Sequence, residues 1–417
     1  MKINLSTKPI LIEQEDLKIN LVSLTFPLGY VPFEEMYSLN LLTTFLNWYS
    51  IDYPKENLFL DALDDYMIGT FKVKSFSIGN SDFIRVSFYL PMEGIFEDFN
   101  LDKSLEFIHN TIFRNIAYDL EHLTDQEFTL EYESTKESLE KKTIGIYGFF
   151  NDEWVKQIDG KNQFATSTSD KLGFLSKTTK ESVVNFYHKY ILNNHFYTVV
   201  NGHIENKELF EFTFLKYFKQ DVDSFEFESD YYPYYNVNVN NEQVIHKDYN
   251  QSAVRMQFTK KNYTQDERYV LLLINTIINR NENNLLMNNL RFKNDLVYGC
   301  DSSKFSYLGC IEMTAFLSKN NIEKCKQLMV ETLHELLDED LFIKAKEKVM
   351  KTDKISLYAK LDDKFEKFYT INDKTLNIDT FEDTIEKVSK VSYEEVRDFI
   401  NDMEITNTLV IVGDKND

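Results

Sequence analysis

Runs of apolar side chains, some alternating with polar ones and some continuous, fall along the chain in two matching sets. Residues 17–26 read as a strand ending at Pro27 and Gly29. Residues 71–78 and 83–90 flank Gly79-Asn80, a hairpin signal. Residues 253–258 also read as extended, and residues 297–303 and 308–316 repeat the paired-strand pattern later in the chain. Each set closes in the same way. Ser176-Lys177-Thr178-Thr179-Lys180-Glu181-Ser182-Val183-Val184-Asn185-Phe186 leads into Tyr197-Thr198-Val199-Val200-Asn201-Gly202. About 210 residues later, Ser389-Lys390-Val391-Ser392-Tyr393-Glu394-Glu395-Val396-Arg397-Asp398-Phe399 leads into Thr408-Leu409-Val410-Ile411-Val412-Gly413. Thr178 with Glu181, and Ser392 with Glu395, have capping-box spacing for starting a helix, and the β-branched run that follows suits a buried strand. Helix start, spacing and following strand recur together, which predicts two tandem copies of one α+β unit. Each is read as a mostly antiparallel sheet with helices packed on it. The expected division is residues 1–218, a linker at 219–241 and residues 242–417. The linker loses periodicity and gathers Phe225, Phe227, Tyr231, Tyr232, Tyr234 and Tyr235 around Pro233, unlike a Gly/Ser tether.

Composition agrees with a folded chain and narrows its partners. Of 417 residues, 43% are hydrophobic and 27% charged, and no apolar run reaches the ~18 residues of a membrane span. Acidic residues number 68 against 46 basic ones, giving a net charge of −22, which repels a nucleic-acid backbone in the absence of a basic block. The same charge points to basic or neutral rather than acidic peptides as substrates, although salt screens it beyond ~8 Å and it equally serves solubility. Glu13, Glu15 and Asp16 interrupt the N-terminal stretch, so no secretory signal is expected there. Cysteines Cys300, Cys310 and Cys325 form no disulfide framework. Cytoplasmic residence is the expectation.

Most catalytic chemistries lack their residues. No glycine-rich phosphate loop and no G-x-S-x-G elbow occurs. Zinc needs several ligands at short spacing on a rigid element. His188, His195 and His203 follow a helix and straddle a strand, so their side chains should diverge. His334-Glu335 opens like H-E-x-x-H, but Asp338 stands at the second histidine position, and Ile322, Cys325, Met329, Leu333 and Leu336 make the stretch an ordinary amphipathic helix.

The second half carries Leu290-Arg291-Phe292-Lys293-Asn294-Asp295-Leu296-Val297-Tyr298. With the tandem halves and the helix before the arginine (residues 283–290), it resembles the pitrilysin, or insulinase-type inverzincin, metallopeptidases, which include mitochondrial processing peptidase. In that family an L-R-x-x-x-x-L-x-Y signature brings an arginine and a tyrosine to an active site in the first half. Arg291 and Tyr298 match it. The family's H-x-x-E-H on a first-half helix supplies two zinc-binding imidazoles and a glutamate base. Here the resemblance places Leu41-Leu42-Thr43-Thr44-Phe45 at that position, on a helix expected at residues 34–49. Leucine and phenylalanine cannot ligate zinc, and threonine is no base at neutral pH. Glu127, Glu131 or Glu133 stands where a third ligand is expected, with no ligands to join.

The resemblance therefore implies the non-catalytic subunit of a heterodimeric zinc peptidase. The chain itself would hold no metal or cofactor and be inactive alone. Zinc would sit in an H-x-x-E-H-bearing homologous subunit, and Arg291 and Tyr298 would bind a peptide substrate and stabilise the transition state. The other reading is a peptide-binding scaffold that takes no part in catalysis. Taken by residue type alone, Arg291 is a cation at a helix C-terminus and Tyr298 a strand aromatic.

Overall fold

The computed structural model describes residues 2–13, 15, 17–78, 81–160, 166–228, 235–237, 241–279, 284–305, 308–359 and 381–415. The hairpin signal Gly79-Asn80, most of the aromatic run near Pro233, and Asn283 lie outside them. The described strands are, in chain order, β1 (Lys2–Ser6), β2 (Ile10–Glu13), β3 (Ile19–Gly29), β4 (Gly69–Ile78), β5 (Ser81–Pro91), β6 (Ile158–Gly160), β7 (Tyr197–Gly202), β8 (Ser224–Glu228), β9 (Tyr235–Val237), β10 (Asn241–Lys247), β11 (Ser252–Lys260), β12 (Val297–Phe305), β13 (Cys310–Leu317) and β14 (Met403–Gly413).

The expected α+β duplication is present. One sheet has the order β2-β7-β3-β5-β4 and the other β10-β14-β11-β13-β12. In each, the first strand pairs in parallel with the last, and the remaining neighbours are antiparallel. In the first unit, Val22, Leu24, Phe26, Ile84, Val86 and Phe88 form a core with the helices Met36–Trp48, Leu101–Phe113, Lys180–Tyr187 and Lys207–Phe218. In the second, Val254, Met256, Phe258, Ile311, Met313 and Leu317 do the same with Arg268–Asn279, Ile322–Glu335 and Tyr393–Asn401. Contacts among the described residues group those of 1–140 with those of 170–232, and those of 141–169 with those of 233–360 and 379–417. The helix Gly145–Lys156, although it precedes β7, belongs to the second unit: Ile146, Phe150 and Trp154 pack on Ala253, Phe316, Leu409 and Ile411.

Strand β3 runs through Pro27 to Gly29, where its end was expected. Its pairing with β7 ends at Thr25, while Pro27 lies opposite Phe83 on the other side, so the missing N–H leaves no ladder bond unmade toward β7. Two local readings change. The first capping box is Thr179 with Ser182 rather than Thr178 with Glu181, because the buried Thr178 hydroxyl donates to the Phe174 carbonyl at 3.2 Å. Ser392 and Glu395 form the second box as expected. Within the stretch read as a linker, residues 224–228 form β8, antiparallel to β1. The alternation of Phe225 and Phe227 with polar neighbours was the available strand signal.

Gly202 and Gly413 occupy corresponding ends. Glu13 pairs in parallel with Gly202, and Lys247 with Gly413, each the last pair of its ladder. A Cβ on Gly202 would stand 2.9 Å from Asn20 Cα, and one on Gly413 2.8 Å from the carbonyl carbon of Gln251. Gly413→Ala should therefore cost about 1–3 kcal/mol through overpacking against backbone that cannot yield. Gly173→Ala, in the helix Thr168–Leu175 where an added Cβ meets nothing within 4 Å, should be neutral or stabilising by up to about 1 kcal/mol. Thermal melts of the two variants make the comparison, and equal midpoints would remove the close-approach argument.

Candidate functional site

The segment before β12 presents its arginine through a local device. Leu285–Met287 is α-helical and Asn288–Phe292 widens to a π-turn, in which Lys293 N donates to Asn288 O at 2.8 Å. Leu290 is buried in the second core, so its neighbour Arg291 falls on the outer side and is exposed. Asn289 fixes the turn from below. Its Nδ2 donates to Thr332 Oγ1 and to Glu335 Oε2, both at 3.0 Å on the helix Ile322–Glu335, and its Oδ1 accepts from Lys293 Nζ at 2.9 Å. Asn294 Nδ2 donates to the Asn289 carbonyl at 2.8 Å. Asp295, at φ 51°, reverses the chain in the left-handed region that short acidic side chains tolerate, and Leu296 N closes onto Leu290 O at 2.9 Å.

Tyr298 then sits on a bulge. Val297 pairs with Leu317 and Gly299 with Phe316, which leaves Tyr298 as the extra residue on an edge strand, 54% exposed. Its Oη lies 2.9 Å from Ser318 Oγ. The Arg291 side chain makes no hydrogen bond or ion pair among the described residues, while its carbonyl accepts from Asp295 N at 2.8 Å. Its charge reaches Cys300, where it opposes the burial that pushes that thiol up to about 12. Arg291 and Tyr298 thus lie on elements in contact, the π-turn and β12.

The stretch expected at the zinc motif is hydrophobic core. It lies on the helix Met36–Trp48, with Leu41, Leu42 and Phe45 fully buried. Thr43 Oγ1 donates back to Leu39 O and Asn40 O at 3.0 and 2.7 Å, and Thr44 Oγ1 to Asn40 O at 3.2 Å. The glutamates at the third-ligand position are engaged separately on the helix Asp125–Thr143. Glu127 accepts from Thr124 Oγ1, Glu131 accepts from Tyr49 Oη at 2.9 Å, and Glu133 pairs with Lys136 at 3.6 Å. The histidines diverge as expected: His188 Nε2 is 2.7 Å from the Tyr118 carbonyl, His195 faces Asp221 at 3.7 Å, and His203 faces Glu13 at 2.7 Å. Among the described residues no group of three or more His, Cys, Asp or Glu side chains is arranged to hold a metal ion. No helix among them is long and apolar enough to cross a membrane.

The described residues thus form two similar halves, each with a five-stranded sheet, with Arg291 and Tyr298 on adjoining elements of the second and apolar side chains on the first-half helix where the resemblance places zinc ligands. Residues 177–348 match the family model described as the Peptidase M16 inactive domain, a stretch that includes Arg291 and Tyr298. The fold matches a conserved protein from Enterococcus faecalis V583 at 18% identity, covering 100% of this chain and 99% of that one, with a TM-score of 0.79. It also matches a protease from Helicobacter pylori at 15% identity, 99% of both chains and a TM-score of 0.72, and a peptidase M16 inactive domain from Pseudomonas fluorescens at 12% identity, 99% and 97% of the chains and a TM-score of 0.71. No curated protein matches. Residues 177–348 are thus similar to the Peptidase M16 inactive domain, and across the whole chain the fold is the one these solved structures share.

Two outcomes follow for the isolated chain. Metal analysis after dialysis should find far less than one zinc per molecule, and a tightly held stoichiometric zinc would contradict the reading of the Leu41–Phe45 turn. Burial pushes the Cys300 and Cys325 thiols up to about 12 and Cys310 well above its ordinary value, which lowers the thiolate fraction of each at neutral pH. Iodoacetamide at pH 8 should label all three slowly in the native chain and rapidly in denaturant. Fast native labelling of any one would show that its burial is not maintained.

Proposed function

We propose that this chain is the non-catalytic subunit of a heterodimeric zinc peptidase, paired with a homologue that carries H-x-x-E-H, and that Arg291 and Tyr298 complete the partner's site for a peptide substrate. One observation carries the reading: Tyr298 stands outward on an edge-strand bulge, beside the turn that presents an exposed Arg291 with no ionic partner among the described residues. The guanidinium can clamp a peptide carbonyl or carboxylate through its donor fork, and the phenolic O–H can donate to the oxygen on which negative charge grows during attack on that carbonyl. Zinc in the partner supplies an activated water. This chain's contribution is orientation and charge stabilisation, and neither donor needs to belong to the chain that holds the metal.

Kinetics on the complex reconstituted with its zinc-bearing homologue, with assembly checked by gel filtration, test the proposal. Tyr298→Phe should lower turnover ~10²–10³-fold with little change in the Michaelis constant, as expected for a lost oxyanion donor. Arg291→Ala removes a clamp as well and should raise the Michaelis constant too. Neither change should disturb folding, because both side chains lie outside the cores. Complexes that assemble normally and keep full turnover would assign the chain to the scaffold reading.

A further inference from the structure

We infer that Ser318 is a positioning residue for Tyr298: its Oγ–H donates to Tyr298 Oη and leaves the phenolic proton for an incoming acceptor. This rests on the function proposed above. Ser318 follows the last residue of β13, whose Leu317 pairs with Val297, so it comes directly beside the bulge. The two oxygens are 2.9 Å apart, and either can be the donor on distance alone. Ser318 also occupies the N-cap of the short turn Lys319–Asn321, at φ −77° and ψ 146°. A serine there ordinarily accepts a hydrogen bond from the turn's amides. This one makes no such bond, and its hydroxyl is engaged by Tyr298 instead.

The same turn holds the approach to β12 at a second point. Asn321 N donates to Ser318 O at 3.0 Å, closing the turn, and Asn321 Nδ2 donates to the Leu296 carbonyl at 3.2 Å. The segment around Tyr298 is therefore gripped at Leu296 and at the Tyr298 hydroxyl by one rigid turn. A bulged residue lacks the cross-strand ladder that fixes its neighbours, and a half-exposed ring lacks packing on one side. The hydroxyl contact supplies the missing constraint. The proton assignment follows from the proposed role: a phenol that donates to Ser318 cannot also donate to a developing oxyanion, whereas one that accepts from Ser318 can.

The test uses Ser318→Ala, Ser318→Gly and Ser318→Thr, alone and combined with Tyr298→Phe. In the reconstituted complex, either loss of the hydroxyl should lower kcat about 3- to 10-fold, the worth of one neutral hydrogen bond, with the Michaelis constant unmoved. Ser318→Thr should restore it, and in the Tyr298→Phe background removal should cost nothing further. In the isolated chain with ¹³C-labelled tyrosine, the ring signal that Tyr298→Phe deletes should shift in Ser318→Ala and Ser318→Gly and return in Ser318→Thr. An unmoved signal, unchanged kcat, or an equal loss in the Tyr298→Phe background would overturn the positioning role. Tyr298→Phe at full turnover would instead overturn the proposed function, and the positioning role with it, even where the ring signal still reports the hydrogen bond.

Discussion

Each sheet depends on closure by its last strand. Strand β7 lies between β2 and β3, and β14 between β10 and β11, so the strand that ends each unit supplies ladder bonds on both of its sides. Without it, β3 or β11 would leave one row of N–H and C=O groups unpaired within an apolar layer, which folded proteins almost never permit. The close approach at Gly202 and Gly413 marks where each closing strand meets the start of its neighbour. The opposite edge is freer. Among the described residues, strands β4 and β12 have one neighbour each, and each carries a register shift near its start, between Gly69 and Lys72 and between Val297 and Gly299. A bulge disrupts one ladder there and none beyond it, so the edge is where a side chain can be re-aimed at least cost.

The two sheets share topology but not their covers. In the first unit, the ribbon of β1 and β8 brings Phe227 and Phe225 onto Phe83, Tyr197 and Val199, an apolar contact. In the second, the helix Gly145–Lys156 brings Trp154, whose Nε1 donates to Glu312 Oε1 at 3.0 Å, and Asn151, whose Oδ1 accepts from Arg255 at 2.8 Å. Arg255 lies over the rings of Phe150 and Trp154, 4.9 and 5.2 Å from their centroids, and its nearest contact with Glu312 is 4.0 Å. Burial raises the Glu312 carboxyl above its usual range, and the Arg255 charge with the Trp154 and Gln257 donors pulls against that rise. Burial likewise lowers Arg255. A buried pair of this kind adds little net stability, because desolvation offsets the attraction. Its geometric demands instead select one seating of the helix on the sheet, which a purely apolar face leaves less determined.

Period-2 alternation and the doubled closing motif were enough to read the α+β halves, because those patterns follow from one buried face per element. The helix Gly145–Lys156 could not be assigned to the second unit that way, since a buried apolar stripe does not say which sheet it meets. The capping box shifted by one residue because Thr178 and Thr179 are interchangeable by type, and only the Phe174 carbonyl distinguishes them. At the candidate site, Arg291 and Tyr298 were legible from spacing and resemblance. The residues that hold them were not. Asn289 reaches Thr332 and Glu335 some forty positions away, and Ser318 reaches Tyr298 across a strand pair, contacts set by tertiary packing alone.

The two halves have been shaped in opposite physical directions. Where the resemblance places zinc ligands in the first, Leu41 and Phe45 are buried completely and serve core packing. A helix that carried imidazoles there would have to leave that face open to metal and water. In the second half, Phe292 at 72% exposed flanks Arg291, and Tyr298 stands half in solvent. An exposed phenyl ring and a cation without an ionic partner among the described residues contribute little to folding. The clamp at Asn289, the bulge and the Ser318 contact nevertheless order the chain around them. Ordering costs about 1–2 kcal/mol of backbone entropy for each residue fixed. A segment held this firmly while displaying side chains with no folding role is more readily explained by what it presents to another molecule than by the stability it returns to its own.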